Sequence, residues 1–262
     1  MRGKFWGIIG FPLPQGSVTI MFSHDQEYRL SQMTTQWTLL MQAHEGSGEA
    51  MAHLLPRYCG AVYRFLLSVV RDELAAEELC QEFAFRFTRG DFRSARPERG
   101  RFRDYVKTSV LHLVGEYAKK ARQAEKSVPF DSRVYLAQAD QPAEQEARFV
   151  AEWRQELIDR TWEQLRQEPS DGRPTRYEVL RRKVEFPHLT SAALAEEFSD
   201  QFDKPLSAVN IRQMLHRARS RFIELLRAEV ARGLPDPTPE AIDTELAALG
   251  LLVYCNPGPG DR

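Results

Sequence analysis

The sequence has few cysteines and no long apolar run. Its three cysteines, Cys59, Cys80 and Cys255, are far apart, and no two of them have a CxxC spacing. This pattern favours reduced thiols over a disulfide framework and offers no zinc-site spacing. No apolar segment approaches the roughly 20 residues that cross a bilayer. We therefore expect a cytoplasmic protein with no membrane insertion, no metal ion and no cofactor.

The residue patterns of enzyme active sites are missing as well. The 6 histidines are scattered, and no paired carboxylates, phosphate-binding loop or nucleophile beside a base can be recognised. A non-catalytic protein without a small-molecule substrate is therefore expected. Basic and acidic residues nearly balance, 36 against 37, so affinity for a polyanion must come from local clusters.

Positive charge is concentrated in two segments with amphipathic helical periodicity. Residues 86–122 hold eleven basic and four acidic residues, and residues 206–232 hold six arginines and two glutamates. Two separate basic helices on a near-neutral chain indicate nucleic acid as the first partner to test.

Apolar residues recur at spacings of three and four along most of the chain, which predicts an all-α fold. We expect two small helical domains joined by a flexible linker, the second domain containing a helix-turn-helix. The polar, proline-containing linker is followed by a helical block that begins near Ala143. The predicted divisions are an N-terminal extension of low order (1–48), a first domain (49–124), the linker (125–150), a second domain (151–232) and a C-terminal extension (233–262).

The last two helices of the second domain have the layout of a helix-turn-helix DNA reader. Ser207 is placed to cap the second helix by accepting a hydrogen bond from the amide of Val209 or Asn210. Apolar residues anchor one face of this helix, and the other face carries Asn, Gln and Arg, which can make two hydrogen bonds to a purine edge. The alternative is a solvated helix face supported by charges four residues apart.

Three motifs in order resemble the extracytoplasmic-function (ECF) group of bacterial RNA polymerase sigma factors. They are residues 77–83 (EELCQEF), 102–106 (FRDYV) and 215–219 (LHRAR), and residues 95–103 (ARPERGRFR) are similar to planctomycete-like members. The resemblance covers about residues 49–232. It implies a sigma factor that binds core RNA polymerase and directs promoter recognition, promoter melting and transcription initiation.

The resemblance also implies roles for three sets of residues. The acidic second helix of the first domain, predicted from about Asp72 to Thr88, is expected to bind the polymerase clamp through Glu77, Glu78, Gln81 and Glu82. The loop and helix that follow are expected to bind the minus-ten promoter element through Phe92, Arg93, Arg96, Arg99, Arg101, Arg103, Lys107, His112, Lys119, Lys120 and Arg122. The second domain is expected to bind the upstream element through Ser207, Asn210, Arg212, Gln213, His216, Arg217, Arg219 and Arg221.

Simpler interpretations of these residues remain open. Carboxylates at the start of the second helix are favoured by the helix dipole alone, and the lysines near residue 120 can supply nonspecific phosphate affinity. Tyr105, His112 and Glu116 stand where many family members have Trp, Asn and Asp, so promoter preference does not carry over. The predicted connection at residues 199–206 is longer than the usual turn.

An anti-sigma protein is a further candidate partner. The alternative function is a stand-alone helix-turn-helix DNA-binding transcriptional regulator, which explains the basic helices. It leaves the acidic second helix and the basic loop after it without a role.

Overall fold

The computed structural model describes residue 42 and residues 48–89, 101–124, 142–170 and 172–255. Every regular element in these residues is an α-helix, which confirms the predicted all-α fold. None of these helices is both long enough and apolar enough to cross a membrane. The helices are α1 (Gly48–Val70), α2 (Glu73–Arg89), α3 (Phe102–Ala124), α4 (Pro142–Arg166), α5 (Arg176–Glu185), α6 (Ser191–Phe202), α7 (Ala208–Arg232), α8 (Pro239–Ala248) and α9 (Leu252–Cys255).

The described residues divide into two compact units, each assembled from separate stretches of chain. The unit that we call the N-terminal bundle contains residues 48–89, 101–124, 142–157 and 230–245. The unit that we call the C-terminal bundle contains residues 158–170, 172–229 and 246–255.

These units differ from the predicted domains at two places. The helix α4 starts at Pro142, inside the predicted linker at 125–150, and its residues up to 157 belong to the N-terminal bundle. Residues 233–245 of the predicted C-terminal extension belong to the same bundle. Most of the predicted N-terminal extension, the linker residues 125–141 and residues 256–262 lie outside the described residues.

The first half of α4 joins the N-terminal bundle because it carries a buried stripe with a spacing of four residues. Its members, Gln145, Phe149, Trp153 and Leu157, are all buried, as expected for one face of a helix. The polar residues between them gave this segment its linker-like composition. The predicted start of a helical block near Ala143 is thus within one residue of Pro142, whereas the predicted domain boundary at residue 150 differs from the unit boundary at residue 157, because composition does not reveal a narrow buried face.

Aromatic rings form the centre of the N-terminal bundle. Tyr58 stacks on Trp153 with ring centroids 4.8 Å apart, and Phe65 meets Phe149 edge-on at 5.4 Å. Phe102, at the start of α3, lies 5.0 Å from Tyr58. Such pairs contribute about 0.5–1.5 kcal/mol each beyond the burial of their surface. Rings from α1, α3 and α4 are thus held in one cluster.

The C-terminal bundle has an aliphatic core and well-capped helices. Thr175 and Glu178 form a reciprocal capping box at α5, and Thr190 accepts a hydrogen bond from the Ala193 amide at α6 (3.2 Å). The core residues come from α4, α5, α6 and α7: Leu165, Val179, Leu180, Leu194, Ala195, Phe198, Ile211, Leu215 and Ala218.

Truncating a ring of the aromatic cluster should destabilise the protein strongly. Phe149→Ala removes a ring that is 1% exposed, so we expect the free energy of unfolding to fall by about 3–5 kcal/mol. Phe85, which is 56% exposed on α2, provides the matched control, and Phe85→Ala should change stability by less than about 0.5 kcal/mol. Urea denaturation measures both variants. Equal losses would contradict the assignment of α4 to this core.

Candidate nucleic-acid interface

The helix α7 begins with reciprocal hydrogen bonds between Ser207 and Asn210. Ser207 Oγ accepts a hydrogen bond from the Asn210 amide (3.2 Å), which confirms the predicted cap. Asn210 Oδ1 in turn accepts hydrogen bonds from the Ser207 amide (3.0 Å) and from its hydroxyl (2.7 Å). The carboxamide oxygen of Asn210 is therefore occupied. The predicted two-bond contact of Asn210 with a purine does not fit this conformation.

Downstream of the cap, α7 buries one face and exposes the other. Ile211, Leu215 and Ala218 are buried in the core. Residues between these buried positions lie on the exposed face. Within the described part of the chain, no hydrogen bond or ion pair involves the polar side chains of this face. We call Val209, Arg212, Gln213, His216 and Arg217 the α7 face; all are exposed.

Arg221 differs from the arginines of the α7 face because it is paired within the bundle. Its Nε donates to Glu168 Oε1 (2.6 Å), and its Nη1 donates to Glu224 Oε2 (2.6 Å). Burial alone would raise the pKa of Glu168, but hydrogen bonds from Arg221 and Arg176 lower it below its usual range. Arg221 therefore joins α7 to the residues that follow α4, and its charge is already offset where a phosphate contact was predicted. Arg219 is half-buried.

The connection between α6 and α7 is shorter than the sequence suggested. The helix α6 continues to Phe202, so residues 203–207 alone link the two helices, instead of the predicted 199–206. Asp203 adopts the left-handed conformation (φ 49°) that ends α6. The Leu206 amide donates to Ser199 Oγ (2.9 Å), and Lys204 Nζ donates to the Gly172 carbonyl (2.6 Å). These bonds hold the connection against both α6 and the α4–α5 loop.

In the N-terminal bundle, two arginines that were predicted to bind DNA are paired with Glu245 of α8. Arg103 is 5% exposed, and its Nε and Nη2 donate to the Glu245 carboxylate at 2.8 and 3.3 Å. Arg101 also donates to Glu245, and its Nε donates to Asp104 (3.2 Å). The prediction that Arg103 contacts DNA is wrong for this structure because its guanidinium is buried with a carboxylate. Arg101 retains partial exposure, with its charge already offset.

Lys107 is likewise occupied. Its Nζ donates to Glu146 of α4 (2.7 Å) and lies 3.4 Å from Asp104. The Lys107 ammonium lowers the pKa of the Glu146 carboxyl. With 18% of its side chain exposed, Lys107 joins α3 to α4, and its ammonium already has carboxylate partners where a DNA contact was predicted.

The exposed part of α3 lies farther along the helix. His112, Lys119 and Lys120 are exposed. Glu116, on the same side, is bound by Arg86 of α2 through two hydrogen bonds (2.8 and 3.2 Å), and these bonds lower the pKa of the Glu116 carboxyl. Three of the predicted minus-ten contacts therefore remain available in the described residues.

Other predicted contacts fall outside what the structure describes. The residues of the loop between α2 and α3, namely Phe92, Arg93, Arg96 and Arg99, are not among the described residues. Arg122 belongs to α3, but its side chain is not described.

The acidic residues of α2 lie on its solvent side. Glu77, Glu78 and Gln81 are exposed, whereas Glu82 is partly buried and accepts a hydrogen bond from Arg86 (2.6 Å). Two large apolar side chains, Leu74 (69% exposed) and Phe85 (56% exposed), lie on the same helix. Sequence reasoning missed these two residues, although their spacing from Glu77, Glu78 and Gln81 places all of them along one side of the helix.

Comparisons with known proteins add no relative: no family model, curated protein or solved structure matches this chain. Within the described ranges, no group of three or more His, Cys, Asp or Glu side chains is arranged to hold a metal ion. The interpretation of the site therefore depends on the residues themselves.

Removing the carboxylate of Glu245 should destabilise the N-terminal bundle. Glu245→Gln leaves the Arg103 guanidinium buried without a counter-charge, and we expect the free energy of unfolding to fall by about 3–5 kcal/mol. Glu240→Gln, on the exposed side of α8, is the control and should cost less than about 0.5 kcal/mol. Urea denaturation at neutral pH distinguishes them. A Glu245→Gln variant as stable as the control would show that the ion pair does not anchor α8.

Proposed function

We propose that this protein is a sigma factor of the ECF kind, which binds core RNA polymerase and directs it to promoters. The observation that carries the proposal is the α7 face. It presents Arg212, Gln213, His216 and Arg217 together on the exposed side of a helix that is fixed by its core residues and its cap. A helix of this kind, following a short helix and a short connection, fits the major groove of DNA.

The angular positions on α7 suggest a division of work among these residues. With 3.6 residues per turn, Arg212 and Arg217 lie about 140° apart around the helix, and Gln213 and His216 lie between them. In a helix inserted into the major groove, the middle of the exposed arc meets base edges, and its margins meet the two phosphate backbones. Gln213 is therefore the proposed base reader, and Arg217 is a proposed phosphate contact.

The N-terminal bundle would supply the second DNA contact and the polymerase contact. His112, Lys119 and Lys120 form a modest basic surface on α3, which suits attraction to phosphates more than base reading. On α2, the carboxylates of Glu77 and Glu78 suit a basic partner helix, and Leu74 and Phe85 add apolar contact area beside them. Buried aromatic and aliphatic anchors usually contribute more to an interface than charges at its rim.

Two modest DNA contacts on one chain suit a protein that acts on a larger scaffold. When core polymerase holds both bundles near the promoter, the second contact forms at high effective concentration, so the combined affinity exceeds either contact alone. A stand-alone regulator would need the α7 face to provide nearly all the affinity. The exposed acidic and apolar side of α2 favours the sigma-factor proposal because the regulator alternative gives that surface no partner.

Promoter-directed transcription tests the proposal directly. We expect run-off transcription by bacterial core polymerase from a cognate promoter to require this protein, with the promoter identified by mapping transcripts after overexpression. Glu77→Lys/Glu78→Lys should reduce core binding severalfold, since each exposed charge contributes at most about 1 kcal/mol. The charge-matched control Asp236→Lys/Glu240→Lys changes exposed carboxylates elsewhere and should retain binding. Lack of co-purification with core polymerase, together with specific DNA binding by the protein alone, would establish the regulator instead.

Substitutions on the α7 face should separate base reading from phosphate binding. Gln213→Ala should cost about 1–3 kcal/mol on the cognate upstream element and relax its sequence preference. Arg217→Ala should weaken binding to all sequences alike and reduce the salt dependence by about one phosphate contact. Arg173→Ala, at an exposed arginine in the α4–α5 loop, is the control. Binding titrations at several salt concentrations measure these effects, and uniform losses from both α7 variants would mean that α7 reads no sequence.

A further inference from the structure

Two of the three cysteines meet in the N-terminal bundle, although 21 residues separate them in sequence. Cys59 lies on α1 and Cys80 on α2, and Cys80 Sγ lies 3.8 Å from the Cys59 carbonyl oxygen. Both residues are half-buried, whereas Cys255 is buried and belongs to the C-terminal bundle.

The two thiols differ in acidity because they interact. A hydrogen bond with the Cys80 thiol lowers the pKa of Cys59, and this effect exceeds the opposing effects of burial and of the Glu156 carboxylate. The same hydrogen bond, followed by burial, raises the pKa of Cys80. Since the thiolate is the reactive form of cysteine, the lowered pKa makes Cys59 the expected nucleophile of the pair.

We infer that Cys59 and Cys80 form an oxidative modification site whose oxidant is a hydroperoxide such as hydrogen peroxide. The inference goes beyond the proposed function and does not depend on it. The juxtaposition of two half-buried cysteines on neighbouring helices carries it. The Cys80 sulfur lies 3.8 Å from the backbone of Cys59, so side-chain rotation is the main change needed to approach the geometry of a disulfide.

The reaction proceeds in two steps. The Cys59 thiolate attacks one oxygen of hydrogen peroxide, the O–O bond breaks, and hydroxide leaves and takes up a proton to become water, giving a sulfenic acid on Cys59. The Cys80 sulfur then attacks the Cys59 sulfur, forming the S–S bond. The sulfenic hydroxyl leaves as water with the proton of the Cys80 thiol. Two thiols are oxidised, and one peroxide is reduced to two waters.

Thiol labelling of the full-length protein tests the site. The reduced protein is treated with hydrogen peroxide, quenched with catalase, denatured and alkylated with N-ethylmaleimide before intact-mass measurement and peptide mapping. Of the 3 cysteines, only one should take up the label, with a peptide pair linked through Cys59 and Cys80, and dithiothreitol should restore labelling of all of them. The Cys255→Ser control should form the same linked pair.

Single substitutions establish the order of the two steps. In Cys80→Ser, peroxide should leave a sulfenic acid on Cys59 that dimedone traps. In Cys59→Ser, the dimedone adduct on Cys80 should form much more slowly. Circular dichroism of each reduced variant shows whether its helices are intact. Full alkylation after peroxide treatment of the wild-type protein, or a linked pair that contains Cys255, would overturn the inference, and neither readout requires polymerase or DNA.

Discussion

A buried ion pair fixes the first turn of α3. Arg103 and Glu245 are each 5% exposed, and taking such ions out of water costs several kcal/mol per ion unless the geometry compensates. Here the carboxylate accepts from both Arg103 and Arg101. Phe102, between these arginines in sequence, is fully buried, and its amide donates to the Gly233 carbonyl (3.0 Å). The positions of His112 and Lys119 farther along α3 follow from this anchored end.

The same pairing changes how the charge of the chain is distributed on its surface. Residues 86–122 carry seven more basic than acidic residues, yet Glu82, Glu146 and Glu245 come from outside that window and pair with its cations. Counting the charges over a stretch of sequence therefore overstates the positive electrostatic potential at the surface of α3. The α7 face retains two unpaired arginines among the described residues, so under the proposed function the stronger attraction lies in the C-terminal bundle.

The spacing of residues in the sequence predicted helices and a helix cap, which depend on neighbours in sequence. It did not predict ion pairs between residues far apart in sequence. Helix periodicity predicted the all-α fold, and the residue type at Ser207 predicted its cap on α7, which forms a hydrogen bond only three residues along the chain. The bond between Arg103 and Glu245 joins residues 142 apart, and no spacing rule contains it. The capping role of Asn210 is predictable from the sequence, because Ser-x-x-Asn resembles a capping box. Its side chain was predicted only to contact DNA.

The helix α2 contributes residues to the core, to the proposed polymerase contact and to the thiol pair. Leu79 and Phe83 are buried in the bundle, whereas Glu77 and Gln81 are exposed. Cys80 is half-buried and therefore lies at the boundary between these faces. A disulfide between Cys80 and Cys59 would link this side of α2 covalently to α1. Rigid side chains lose less conformational entropy on binding than mobile ones. Under the proposed function, oxidation at Cys80 would therefore act on polymerase affinity through the order of α2, without altering any charge on its exposed face.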